Sequence, residues 1–257
     1  MALAPVFMIR GGAFGTDFEA KLVMVAAAFA GVLYDWRRRG RLDYAWTFLF
    51  GTATWTLAEL VLQTSGVREI HQATLFGAPL PFAASVTLQG ASEGAVVAVL
   101  GLFCGDRMLE KGSRWRGALV LLLTTAAAAT KALLGGPPDR DVGGDVPSRR
   151  EVFAAGPVAF LSVVGALVVA WCWRTDSQTR RRVLAMFVSM VVFAGFWTLA
   201  EFVANARWIE VESAGGLVLA PPALQFGALA WDVVVEIALA YIPFFAVPRV
   251  LGLIKSQ

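Results

Sequence analysis

Five carboxylates stand where water should be scarce. Glu59, Glu93, Glu201, Asp232 and Glu236 all fall inside long apolar runs of this 257-residue chain. An ionisable group at bilayer depth costs roughly 2.5 kcal/mol or more unless it faces a protein interior and finds partners. Where such groups are found, they serve proton relays, ion paths or acid–base chemistry. Asp232 and Glu236 are four residues apart and so share a helix face. Trp55 and Trp197 stand one helical turn before Glu59 and Glu201, and Trp231 directly precedes Asp232. Phe50 and Phe196 occupy the same runs. These rings either meet lipid and its interface or line a cavity that holds an apolar substrate and steadies positive charge with ring faces. Glu59 and Glu201, near helix ends, have the alternative of snorkelling to water.

The elements that carry these acids are apolar blocks. The chain is 58% apolar and 16% charged, with mean hydropathy +0.66. That excludes a conventional soluble enzyme and a disordered chain, and points to an all-α polytopic membrane protein. Spans are expected near 20–36, 44–64, 82–104, 115–135, 153–173, 183–205 and 222–247. Each is long enough to cross the hydrocarbon as a helix, where backbone polar groups must pair internally.

Loop charges orient the seven. Alternate loops on one side hold fourteen Lys and Arg, among them Arg37, Arg38, Arg39, Arg41, Arg180, Arg181 and Arg182. The other side holds six: Arg10, Arg68, Arg140, Arg149, Arg150 and Arg207. The richer side is expected in the cytoplasm, which puts the N-terminus outside and the C-terminus inside. Arg outnumbers Lys, and with abundant Ala this suggests a bacterial inner membrane. The net charge of +3 therefore reads as topology, not as nucleic-acid affinity. Lys131, at the outer end of span four, either snorkels or pairs with Glu59 or Glu201. Loop 136–152, rich in Gly, Pro and Asp, is expected to be the most mobile. Cys104, Cys172 and the single His71 cannot build a cysteine-rich or multi-histidine metal site, and no cofactor is implied. No cleavable signal peptide is evident in residues 1–18.

Trp55-Thr56-Leu57-Ala58-Glu59 recurs as Trp197-Thr198-Leu199-Ala200-Glu201. Basic clusters after Trp36 and Trp173 precede the two copies, and Leu88-Gln89 with Glu93 answers Leu224-Gln225 with Asp232 across a gap. The expectation is a 3+1+3 parallel repeat. Residues 1–19 form an outer segment and 20–104 the first three-helix unit. Residues 105–152 hold the linker helix and outer loop, 153–247 the second unit, and 248–257 a cytoplasmic tail.

The segments Thr54–Val61 and Ala230–Val234, with Tyr34 and the Arg37–Arg41 turn, resemble the fungal integral-membrane terpene cyclases of meroterpenoid pathways. Those are small seven-span proteins without metal or cofactor. The resemblance implies that Glu59 and Asp232 are the catalytic pair, with Glu93, Glu201 and Glu236 as supporting acids. Trp55, Trp197, Trp231, Phe50 and Phe196 would bind the substrate. In this chain Ala58, not tryptophan, directly precedes the Glu. Small microbial carotenoid-cyclase membrane proteins are a related possibility. The implied function is proton-initiated cyclisation or isomerisation of a lipophilic isoprenoid-type substrate inside the bilayer. The alternative from the residues alone is a proton- or cation-coupled transporter or channel, since parallel repeats in transporters place the site at their interface. A rhodopsin is a poor fit, because the last span has no lysine.

Overall fold

The computed structural model describes residues 4–11, 18–70 and 73–254; Asp17, His71 and Lys255 lie outside them. Helices take up 69% of the described residues, arranged as seven. They are α1 (Phe18–Arg39), α2 (Asp43–Thr64), α3 (Phe82–Leu109), α4 (Arg114–Gly135), α5 (Ala155–Arg174), α6 (Ser177–Val203) and α7 (Pro222–Val250). Six of them, α2 to α7, are long and apolar enough to cross a membrane. α1 has similar length but carries Glu19, Lys21 and Asp35 among its apolar residues. Much of the helix surface is greasy and outward: Val23, Leu57, Leu122, Phe160, Leu184 and Phe196 are all exposed. Exposure on this scale suits lipid rather than water.

Several helix ends run past the expected bounds, though α5 starts at Ala155 rather than 153 and α6 stops at Val203 rather than 205. α6 begins at Ser177, not near 183, because Asp176 caps it by accepting from the Thr179 amide at 2.8 Å. Pro81 and Pro221 hold the extended backbone that precedes α3 and α7. Both of these helices widen into a π-helical stretch, Ala91–Val96 in α3 and Asp232–Leu239 in α7. Such widenings gather at functional sites, and here they contain Glu93, Asp232 and Glu236.

α3 lies tightly against α2. A Cβ at Gly94 would stand 2.5 Å from the Trp55 Cβ, and one at Gly90 2.6 Å from the Thr56 Cα. Only glycine permits that approach, and it sets the Trp55–Glu59 turn against the π-helical stretch. At the opposite end of the bundle Arg182 staples three helices. It binds Asp106 through two bonds of 2.6 and 2.7 Å and Asp43 at 2.6 Å, while the Tyr44 hydroxyl donates to Asp106 at 2.9 Å.

The sequence gives no sign of the sheet. Five short strands, β1 (Val6–Arg10), β2 (Arg68–Ile70), β5 (Ser148–Glu151), β6 (Arg207–Ser213) and β7 (Gly216–Leu219), form one antiparallel sheet ordered β2-β5-β1-β6-β7. A separate hairpin joins β3 (Thr74–Leu75) and β4 (Ala78–Pro79). Segments expected as outer loops, including part of 136–152, thus pair as strands over one end of the bundle. β1 is central, flanked by β5 and β6. Arg68 stands opposite Arg150 across β2 and β5, and Arg10 stands opposite Arg207 across β1 and β6.

Candidate functional site

Like charges directly opposite in a sheet repel. Two such arginine pairs are tolerated here because carboxylates from the helices meet them. Arg10 pairs with Glu93, and Arg68 with both Glu59 and, at 3.1 Å, Glu93. On the other side Arg150 reaches Asp232 at 2.9 Å and Glu236 at 2.5 Å. Arg207 reaches Asp232 at 2.8 Å and Glu201 at 2.7 Å. The Arg207–Glu201 contact is an ion pair whose angle is unsuited to a hydrogen bond. Each arginine comes from a strand and each carboxylate from a helix. The sheet therefore supplies the counter-charges that allow five acids to sit inside the bundle.

The arginines stay charged. Burial would strip the proton from Arg10 and Arg150, but Glu93 opposes it at Arg10, and Glu236 with Asp232 at Arg150, so both pKa values lie above the ordinary guanidinium value.

The two sets differ in detail. Gln63 donates to Glu59 at 3.2 Å, and the Trp197 indole donates to Glu201 at 2.6 Å. Arg207 also donates to Thr198 at 2.9 Å. Glu236 accepts from the Trp231 indole at 3.0 Å.

A cavity of about 120 Å³ lies under the sheet between the helices. Its polar wall includes Arg10, Arg68, Arg150 and Arg207 with Glu93, Glu201, Asp232 and Glu236. Its apolar wall includes Met24, Trp55, Val97, Phe193, Trp197 and Tyr241, and Lys21 and Lys131 also line it.

Glu93, Glu201, Asp232, Glu236, Trp55 and Trp197 come together at the cavity. Glu59 does not line it: the side chain is fully buried behind Arg68. Trp231 is a partner of Glu236 outside the lining. Phe50 packs on the main apolar core, and Phe196 is 57% exposed on the outer surface. Arg68 touches both Glu59 and Glu93, so the two acids share one layer beneath the sheet.

Sequence reasoning missed Arg10, Arg68, Arg150 and Arg207 as site residues, because in apparent loops they read as topology charges. One signal was available: Arg68 and Arg207 each follow a Trp-Thr-Leu-Ala-Glu copy within ten residues. Among the described residues no group of three or more metal-binding side chains is gathered. Neither a protein-family model, nor a curated protein, nor a solved structure matches the chain.

Proposed function

We propose that this chain is a seven-span membrane protein whose two three-helix units enclose an acid–base site for a lipophilic small molecule. Duplication is supported by the repeated pentapeptide and by the symmetry of the pairings. Exchanging β1 with β5 and β2 with β6 maps Arg10–Glu93 onto Arg150–Asp232. It maps Arg68–Glu59 onto Arg207–Glu201 as well. Counted from Pro81 and Pro221, Glu93 and Asp232 fall at nearly the same depth, a better alignment than the Leu-Gln pairs offer. The charge bias favours the sheet outside and the tail in the cytoplasm, and the Arg-rich, Ala-rich composition favours a bacterial inner membrane. α1 is then the seventh span, with Lys21 turned inward.

The observation that carries the function is the convergence of four carboxylates on one cavity with aromatic walls. Asp232 is held between Arg150 and Arg207. Glu236 has no counterpart in the first set, where Val97 holds the matching place, and it shares Arg150 with Asp232. It is therefore the group to exchange a proton. In a cyclisation or isomerisation, protonated Glu236 gives its proton to a substrate alkene. Asp232 and the ring faces steady the carbocation. Loss of a neighbouring proton to the Glu236 carboxylate then forms the product and restores the acid. No cofactor is needed. The resemblance to membrane terpene cyclases favours an isoprenoid substrate, but Glu236 replaces Glu59 beside Asp232 in the pair proposed here.

Amide substitutions test it. In lipid nanodiscs Glu236→Gln and Asp232→Asn should fold and lose isoprenoid turnover by about 100-fold or more, the scale of general acid–base catalysis. A proton-coupled transporter is the second reading, favoured by the π-helical stretches that interrupt both α3 and α7 at the acids. In that case the same variants lose pH-dependent uptake in proteoliposomes. Parent-like behaviour in both assays would reject an acid–base role.

A further inference from the structure

We infer that the cavity takes an amphiphile with a single anionic headgroup, a carboxylate or a phosphate, seated on Lys21 and Trp55. This rests on the acid–base site proposed above and names its substrate class. Two donors are left over when the ion pairs are complete. Arg10, Arg68, Arg150 and Arg207 each have a carboxylate partner. Among the described residues Lys21 has no ion pair and its Nζ no hydrogen-bond acceptor; it is 9% exposed, lines the cavity and lies over the face of Phe18, 4.1 Å from the ring centroid.

The second leftover donor is the Trp55 indole. Trp197, its repeat partner, donates to Glu201. At Trp55 the matching acid, Glu59, is turned to Arg68 and Gln63. The Trp55 Nε1 is consequently buried without an acceptor, and Trp55 also lines the cavity. A buried ammonium and a buried N–H without acceptors are both unfavourable. One ligand that supplies an acceptor and a negative charge relieves both.

The apolar side, Met24, Val97 and Phe193, receives the tail.

Binding to the full-length protein in nanodiscs, with dodecanoate, dodecyl phosphate and dodecanol as probes, tests the inference. At least one anion should bind about tenfold or more tighter than dodecanol, as expected for a charge-assisted contact. Lys21→Met should bring that anion to the dodecanol level, Lys21→Arg should restore most of the difference, and Trp55→Phe should weaken the anion alone. Which anion is preferred separates carboxylate from phosphate recognition. Dodecanol binding as tightly as both anions, or Lys21→Met leaving anion affinity unchanged, would overturn the headgroup assignment and leave the acid–base site standing. Failure of all three probes to bind would reject an amphiphile substrate. Loss of turnover in Glu236→Gln would still be read separately.

Discussion

Arg207 is 2% exposed and bridges Glu201 and Asp232 while its own strand holds it in place. Removing it leaves Glu201 buried without its arginine and Asp232 with Arg150 alone. Arg207→Met should therefore cost about 3–5 kcal/mol, the penalty for breaking a buried pair from one side, read as a lowered unfolding midpoint. Arg207→Lys should recover only part of that, because an ammonium cannot fork to two carboxylates as a guanidinium does. Glu59 behaves differently from Glu236. Glu59→Gln strands Arg68 in part, but Arg68 keeps Glu93, so stability should fall while turnover by folded protein survives. If Glu59→Gln abolished turnover in a fully folded protein, the assignment of Glu236 over Glu59 would fail.

The helices were legible from sequence and the strands were not, for a physical reason. A helix closes its hydrogen bonds within itself, so a long apolar run announces it locally. β2 and β5 have three and four residues, and their partners lie far along the chain. No alternation survives in Arg68-Glu69-Ile70 or Ser148-Arg149-Arg150-Glu151. The acids were visible as anomalies in apolar runs; their partners looked like ordinary loop arginines. Two element-scale outcomes are expected. Gly94→Ala should cost about 1–3 kcal/mol by overpacking α3 against Trp55. The α6 cap should be acid-sensitive in a defined window. The Asp176 carboxyl, held by the Thr179 hydroxyl and amide, lies at about 2, below its ordinary 3.8. A depressed carboxylate contributes stability above its unfolded pKa and loses it as pH falls through the folded one. The contribution should fade between about pH 4 and 2, and Asp176→Ala should flatten thermal stability across that window.

For the whole molecule, the sheet and the Arg182 staple sit at opposite ends of the bundle. With seven spans, cysteines placed at Ser177 and at Gly143 should react with an impermeant thiol reagent from opposite faces of the membrane. Labelling from one face alone would mean that α5, the one helix between them, does not cross.

The order of the strands in the sheet also governs how the protein is made. Ribosomes deliver Glu59 and Arg68 almost together, but Arg10 and Glu93 are followed by a long wait for Arg150, and Asp232 arrives after Arg207. β1 pairs with β5 and β6, so its edges stay unsatisfied until most of the chain has been threaded through the insertion machinery. Nascent chains arrested before residue 207 should thus be protease-sensitive at β1 and prone to degradation, whereas chains released after residue 232 should become resistant in a single step. Biogenesis of this protein is then closer to the closing of a clasp than to the stacking of independent hairpins.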